Sequence, residues 1–277
     1  MTARCAGFLV AAVLAAVVSC PITPTMHAVA GPPPAAVLTA VADIGGGDAS
    51  GAPFRAPRSA TVGQLRTDRT SCTATVVESR SGGVAVTAAH CVHRPARSPL
   101  ELPPGAAGPL AVTGFTPGRD GDRAPFGSWP VERVEVDPRW VGSGDPAHDV
   151  AFLRLGEVDG RTVQEVVGAQ RIAFGAVAAG TPMTALGYPA AAPFDGRTLR
   201  RCTSPGVAVS RAAFGALQMR CAMTPGVSGG PWLSGFDPAT GAGTVSAVTT
   251  FVDESNGLLS AVTFRPPART LFDAAGR

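Results

Sequence analysis

The sequence predicts an all-β fold, a sandwich or a barrel, on two observations. From about Thr61 to the end of the chain, short runs of β-branched and apolar residues alternate with turn residues. Helical periodicity is confined to the tail PPARTLFDAAGR, which has proline in its first turn. Many short strands with few helical periods are typical of sandwiches and barrels.

The strands can be assigned in chain order. The runs CTATVV (72–77) and VAVTAA (84–89) flank the turn ESRSGG and predict a hairpin with a longer loop. The run VERVEV (131–136) alternates apolar and polar residues, as a half-buried strand does. Further predicted strands are DVAFLRL (149–155), PMTALGY (182–188), GVAVS (206–210), ALQMRC (216–221), TVSAVTTFV (244–252) and LLSAVTF (258–264). The stretch 156–172 has no clear strand and could join two halves of the fold.

The first 30 residues are predicted to be an export signal. Arg4 precedes an apolar and small-residue run, Ala6–Val18, that is too short to span a bilayer as a helix. Two processing routes remain open: AVA at 28–30 suits ordinary signal peptidase cleavage, whereas VVSC resembles a lipobox in which Cys20 would be lipidated. Both routes predict a secreted or extracytoplasmic protein without stable membrane insertion, and the second would anchor it at the outer face of the membrane.

Residues 31–60 differ in composition from the rest of the chain. Twenty of these 30 positions are Gly, Ala, Pro or Ser, which leaves too little bulky apolar surface for a core. The segment is therefore predicted to be a linker or a pro-segment, and the folded domain is expected to span residues 61–277.

Charge gives no sign of a nucleic-acid partner. The net charge is +3, and all 23 basic residues are arginine. The densest group, Arg197, Arg200 and Arg201, is interpreted as a solvated loop.

Cysteine usage supports export. Of six cysteines, Cys5 is lost with the signal and Cys20 is lost or lipidated, which leaves an even number able to pair in an oxidising compartment. Three connectivities are possible. Proximity along the chain favours Cys72–Cys91 and Cys202–Cys221.

A candidate nucleophile lies in TPGVSGGPWL (224–233). Ser228 has small neighbours on both sides, which would let a carbonyl carbon approach its hydroxyl. The backbone N–H groups of Gly226 and Ser228 could then bind a developing oxyanion. A tight turn with an exposed hydroxyl is the simpler interpretation of this stretch taken alone.

A serine nucleophile needs a base, and every histidine precedes Ser228. His90 ends the predicted strand in VAVTAAHCV, and Asp149 directly precedes an apolar strand in HDVAFLRL. A buried carboxylate there could fix the imidazole tautomer. A metal site at His90 and His93 is not expected, because no third ligand stands at a suitable spacing. No cofactor is expected.

The stretches TAAHCV, HDVAFLRL and GVSGGP, in this order, resemble the chymotrypsin-like (trypsin-like, S1-type) serine peptidases over residues 61–277. CAMTPGVSGGPW and GYPAAAPFDG are most similar to secreted actinobacterial trypsin-like peptidases. The resemblance implies two six-stranded antiparallel β-barrels, at about 61–158 and 170–277, with the active site in the cleft between them and a short C-terminal helix. It also implies a Cys72–Cys91 bridge.

The same resemblance implies a serine endopeptidase acting on polypeptides. Ser228 would be the nucleophile, His90 the base and Asp149 its orienting acid, with the amides of Gly226 and Ser228 as the oxyanion hole. Two alternatives are a catalytically silent binding protein and an esterase-like acyl hydrolase on the same fold. A monomer is expected.

Two features depart from the family pattern. Val227 stands where most trypsin-like enzymes have an aspartate that pairs with a new N-terminal amine, and ATVGQL (60–65) stands where Ile-Val-Gly-Gly is usual. Activity is therefore predicted not to depend on insertion of a cleaved N-terminus. The substrate pocket is predicted to be neutral and to involve Ala222, Met223, Thr249 and Thr250. The stretch 94–110 is predicted to be a surface excursion at the cleft rim.

Overall fold

The computed structural model describes residues 47–97, 106–211 and 213–277. The strands are β1 Ala52–Pro53, β2 Val62–Thr67, β3 Ser71–Val76, β4 Val84–Thr87, β5 His93–Arg94, β6 Gly108–Pro109, β7 Val112–Pro117, β8 Val131–Val136, β9 Ala151–Leu155, β10 Arg171–Ile172, β11 Met183–Gly187, β12 Arg200–Ser204, β13 Ala208–Ser210, β14 Ala216–Arg220, β15 Pro231–Asp237, β16 Ala242–Asp253 and β17 Leu258–Thr263. The α-helices are α1 Pro138–Ser143, α2 Val163–Val167 and α3 Pro266–Ala275. Short 3-10 turns occupy Pro57–Thr61, Ala89–Cys91 and Pro146–His148.

The first sheet has six antiparallel strands in the order β7-β2-β3-β4-β9-β8. It curls toward closure, because Phe115 of β7 and Trp129, just before β8, exchange both backbone hydrogen bonds at 3.0 and 2.7 Å. Inside the curl lie the buried side chains of Leu65, Phe115, Trp129, Trp140 and Leu153, among others. This half agrees with the six-stranded barrel implied by the resemblance.

The second sheet has nine strands, three more than the six expected. Its order is β1-β12-β11-β15-β16-β17-β14-β13, and β10 adds a parallel pairing to β16. The difference comes from three strands of only two or three residues, β1, β10 and β13. The six longer strands form the body of this half, so the all-β prediction is confirmed.

Eight strands were not predicted from the sequence: the longer β2, β7, β12 and β15, and the two-residue strands β1, β5, β6 and β10. The interpretation of the arginine group as a solvated loop was wrong for Arg200 and Arg201, because both lie in β12. Their guanidinium groups stack over aromatic rings, Arg201 over Phe54 at 5.0 Å and Arg200 over Phe194 at 5.1 Å.

Helix is also not confined to the tail. Helix α1 begins at Pro138 because the Asp137 side chain accepts from the backbone N–H of Arg139, and proline suits a first helical turn. Helix α2 occupies part of the stretch 156–172 and begins with a capping box between Thr162 and Glu165.

Residues 47–54, part of the segment that composition assigns to a linker or pro-segment, are packed on the second sheet. Strand β1 pairs antiparallel with β12, and Phe54 is buried in a core that also contains Leu199 and Leu233. We call residues 47–54 the N-terminal strap. Its backbone pairing compensates for the small side chains that made this stretch read as unstructured.

Several predicted features lie outside the described residues: the export signal with Cys5 and Cys20, residues 31–46, and residues 98–105 of the rim excursion. Among the described helices, none has both the length and the apolar character needed to cross a membrane.

Two disulfides join Cys72 to Cys91 and Cys202 to Cys221, the pairs that proximity along the chain favours. The first lies in the first sheet beside His90, and the second joins β12 to the end of β14. Both span a sequence separation of 19 residues, and all four cysteines are buried. The two bridges are therefore matched in loop length and in burial.

We predict that replacing either pair by alanine lowers the free energy of unfolding by a similar amount, about 3 kcal/mol, because a cross-link of this length restricts the unfolded chain to about that extent. Urea denaturation of the two double variants beside the wild type measures both losses. Losses that differ several-fold would show that loop closure is not the dominant contribution.

Candidate active site

Strand pairing in the first sheet brings His90 and Asp149 together. β4 and β9 run antiparallel, with Thr87 opposite Ala151 at the last register position. His90 follows β4 in a 3-10 turn, and Asp149 lies two residues before β9, so both residues emerge at the same end of this strand pair. His90 Nδ1 lies 2.7 Å from Asp149 Oδ2, and the backbone N–H of His90 donates to Asp149 Oδ1 at 2.8 Å.

The Asp149 carboxylate is fully buried and accepts a third hydrogen bond from the second sheet. Thr250 Oγ1, on β16, donates to Asp149 Oδ2. An ionised carboxylate only accepts hydrogen bonds, so His90 Nδ1 must carry the proton that it shares with Asp149. The unprotonated ring nitrogen of His90 is then Nε2. This is the tautomer in which the nitrogen turned away from Asp149 can accept a proton.

The environment of His90 acts on its protonation in two opposing ways. Burial lowers the pKa of the imidazole, whereas the charge of Asp149 and the hydrogen bond to it raise the pKa, and the net direction is upward from the ordinary value. The side chain keeps 14% of its surface exposed, so solvent can still reach the ring.

Three glycines around Ser228 are required by close backbone contacts. Gly226 and Gly229 have φ values of +109° and +78°, which residues with a Cβ rarely adopt. A Cβ on Gly226 would lie 2.6 Å from the Tyr188 carbonyl oxygen, and one on Gly229 would lie 2.1 Å from Thr87 Oγ1. A Cβ on Gly230 would lie 2.2 Å from the carbonyl oxygen of Leu186. The small flanks of Ser228 therefore let this loop fit between the two sheets.

Hydrogen bonds hold the Ser228 loop against the first sheet. The backbone N–H of Thr73, on β3, donates to the Ser228 carbonyl at 2.8 Å, and Thr73 Oγ1 donates to the Gly226 carbonyl at 3.0 Å. On the other side, the Gly229 N–H donates to the Thr249 carbonyl at 2.8 Å. The Ser228 carbonyl oxygen lies 3.7 Å from Cys91 Sγ, so the serine peptide sits next to the residue that follows His90.

Among residues 47–97, 106–211 and 213–277, no group accepts a hydrogen bond from the two amides expected to form an oxyanion hole, the N–H groups of Gly226 and Ser228. The Ser228 side chain is partly exposed, and no hydrogen bond from its hydroxyl to His90 is recorded among these residues. Such contacts are often long in a site without substrate and tighten when substrate binds.

Val227 fixes the same loop by apolar packing. It is fully buried in a cluster with Met223 and Trp232. The neighbouring backbone is so close that a Cβ on Gly187 would lie 2.4 Å from Val227 Cγ2. The residue before the serine is therefore held without any charged partner.

The four residues expected in a substrate pocket have different environments. Ala222 is exposed, and Met223 is buried in the cluster with Val227 and Trp232. Thr249 Oγ1 accepts from Trp232 Nε1 at 3.0 Å, and Thr250 is the partner of Asp149. Their role in a pocket stays a prediction. The sequence did not predict the hydrogen bond from Thr250 to Asp149. The residues around Thr250 do not show whether its side chain faces a carboxylate or a substrate.

Among the described residues, Cys72, His90 and Cys91 form the one cluster of three potential metal ligands. Their ligand atoms lie within 4.8 Å of one another, but the two sulfurs are joined in the first disulfide. Disulfide sulfurs are not the thiolates that bind metal ions, so His90 is the one ordinary metal ligand of this cluster.

Residues 72–237 match the protein family described as "Trypsin-like peptidase domain". Among solved structures, protease Anisep from Arthrobacter nicotinovorans is similar, with a TM-score of 0.67, 24% identity, and coverage of 83% of this chain and 99% of that one. The thermostable serine protease AL20 from an extremophilic microorganism is 29% identical, with a TM-score of 0.67 and coverage of 79% and 98%. A Glu endopeptidase is similar at 16% identity, with a TM-score of 0.64 and coverage of 81% and 95%. No curated protein sequence matched the chain. The similar structures confirm the double-barrel fold.

We predict that the imidazole of His90 titrates in NMR spectra with a pKa above the ordinary value of about 6.5. In Asp149→Asn the charge that raises this pKa is removed while burial remains, so the pKa should fall. His93 is the internal control: burial lowers its pKa, and it should be unaffected by the substitution. A His90 pKa below that of His93, or one unchanged in Asp149→Asn, would contradict the assigned environment.

Proposed function

The chain belongs to the trypsin-like peptidase family and is a serine-type peptidase; on this premise we propose that it is an extracytoplasmic endopeptidase with Ser228 as nucleophile, His90 as base and Asp149 as the orienting acid. The observation that carries the assignment is the 2.7 Å contact between His90 Nδ1 and Asp149 Oδ2, beside a serine loop docked on the same sheet.

The proposed reaction is acyl transfer through a covalent intermediate. Ser228 Oγ attacks the scissile carbonyl carbon while His90 Nε2 takes the hydroxyl proton, and the carbonyl oxygen becomes an oxyanion bound by the amides of Gly226 and Ser228. The imidazolium is stabilised by the buried Asp149 carboxylate. Collapse of the intermediate breaks the C–N bond, and His90 gives its proton to the leaving amine. Water, activated by His90, then hydrolyses the ester on Ser228.

The buried position of Val227 supports activity without insertion of a new N-terminus. An aspartate at this place would need a cationic partner in the interior, whereas Val227 is satisfied by the cluster around Trp232. Val62 lies near the place where a new N-terminus would start. It is fully buried, and as the first residue of β2 it pairs with Thr75 of β3. The loop is therefore proposed to be formed as the chain folds.

The substrate is proposed to be a polypeptide with an uncharged side chain at the cleavage site. Residues 222–228 and 249–252, on either side of the expected pocket, carry no charged side chain. An oxidising, extracytoplasmic location is supported by two buried disulfides, which persist in such compartments. Processing at Cys20 would decide between a secreted and a lipid-anchored form.

We predict that a fluorophosphonate labels the wild-type enzyme and that Ser228→Ala takes no label. The same substitution should lower kcat for peptide hydrolysis by roughly 10⁴-fold or more. The reason is that Ser228 is the proposed nucleophile, so its removal leaves no hydroxyl to bond to the reagent or to the acyl group. Labelling detected by mass spectrometry and hydrolysis of a peptide library give the two readouts.

Ser234→Ala is the matched control, because Ser234 lies on β15 of the same sheet and, among the described residues, its hydroxyl hydrogen-bonds only to Thr244 and Ser246. This variant should label and cleave like the wild type. A folded wild type that takes no label would indicate a silent binding protein, and turnover of esters without cleavage of any peptide would indicate an acyl hydrolase.

A further inference from the structure

The N-terminal strap is bound by hydrogen bonds to the second sheet and to the start of the serine loop. Asp48 and Thr203 are doubly connected: the Asp48 N–H donates to Thr203 Oγ1, and the Thr203 N–H donates to the Asp48 carbonyl, both at 2.8 Å. The Ala222 N–H donates to the Ala49 carbonyl at 2.8 Å. The strap thus reaches the first residue of the stretch 222–228 that carries the nucleophile.

Gly51 packs where the strap meets two segments, the stretch 222–228 at Met223 and the loop after β11 at Phe194. Its φ is +69°, and a Cβ there would lie 3.2 Å from Met223 Cγ and 3.3 Å from the Phe194 ring. Farther along, Phe54 anchors the strap in the core, with its ring centroid 5.5 Å from that of Phe236.

The two segments that the strap contacts are hydrogen-bonded to each other next to the expected oxyanion hole. The Ala190 N–H donates to the Pro225 carbonyl at 2.7 Å, and Thr224 Oγ1 donates to the Ala191 carbonyl at 2.8 Å. Phe194 follows in the same loop as Ala190, and its N–H donates to the Ala191 carbonyl. A displacement at Met223 or Phe194 is therefore transmitted through these bonds to the backbone of Gly226.

We propose that the strap is a positioning element of the active site, which holds the stretch 222–228 so that the amides of Gly226 and Ser228 face the reacting carbonyl. In trypsin-like enzymes with the usual aspartate, an inserted N-terminus shapes the oxyanion hole. Here the strap would hold the corresponding stretch by contacts on the protein surface. This inference rests on the proposed peptidase mechanism. It follows that any processing which yields active enzyme ends before Asp48, so that the second half of the compositionally simple segment 31–60 is part of the working enzyme.

The test is Gly51→Val in the full chain, with Gly160→Val as the matched control. Both glycines have φ of +69°, but a Cβ on Gly160 would meet nothing within 4 Å, so the two variants share the backbone strain and differ in the contact with Met223 and Phe194. We expect kcat of Gly51→Val to fall about 10- to 100-fold, with a KM close to that of the wild type, because oxyanion contacts form in the transition state and small misplacements are costly there. Gly160→Val should keep kcat within about twofold.

Equal losses in the two variants, or a wild-type kcat in Gly51→Val, would overturn the proposal. Thermal unfolding of both variants checks that the folded fraction is the same. If Gly51→Val does not fold, Gly51→Ala is measured against Gly160→Ala by the same criterion.

An independent test needs no substitution. Mass spectrometry of active enzyme after natural processing identifies its first residue, which we expect at or before Asp48. Fully active enzyme that begins after Asp48 would refute the role of the strap and leave the proposed mechanism intact. A wild type that keeps the strap and cleaves no peptide would instead count against the proposed mechanism.

Discussion

The hydrogen bond from the Thr73 N–H to the Ser228 carbonyl is the contact on which the rest of the site depends. His90 and Asp149 belong to the first sheet, whereas Ser228 precedes β15 of the second. If Ser228 is the nucleophile and His90 the base, as proposed, they can cooperate only when the loop of one sheet is fixed on the strand of the other. The close approach explains why glycine stands at 229, where a Cβ would meet Thr87 Oγ1.

Burial of Asp149 ties the sheets together a second time. A carboxylate without solvent is strongly unfavourable unless its oxygens are hydrogen-bonded, and Asp149 has donors from His90 on one sheet and Thr250 on the other. Any shift of β16 relative to β4 would remove one of these donors. The same geometry that orients the imidazole therefore also resists relative movement of the two sheets. The proposed catalytic alignment and the packing of the two sheets therefore depend on one set of contacts.

Much of this arrangement could be read from the sequence, because Ser228, His90 and Asp149 each stand in a motif whose local constraints are strong. Thr250 could not be identified, since its partner lies 101 positions away and only the fold joins them. Strand β12 was hidden because its arginines suggest solvent, although the guanidinium groups of Arg201 and Arg200 stack over the rings of Phe54 and Phe194. The strap was hidden for a related reason: apart from Phe54 its side chains are small, and it is held by backbone pairing with β12, which composition does not reveal.

The most direct measurement is a crystal structure of the enzyme, with its N-terminal strap, after reaction with a fluorophosphonate. The account predicts phosphorus bonded to Ser228 Oγ and its phosphoryl oxygen within hydrogen-bond distance of the Gly226 and Ser228 amides. The Thr73–Ser228 hydrogen bond and the strap should remain in place, and Val227 should stay buried. Phosphorus on another residue, or an oxygen that neither amide reaches, would contradict the account.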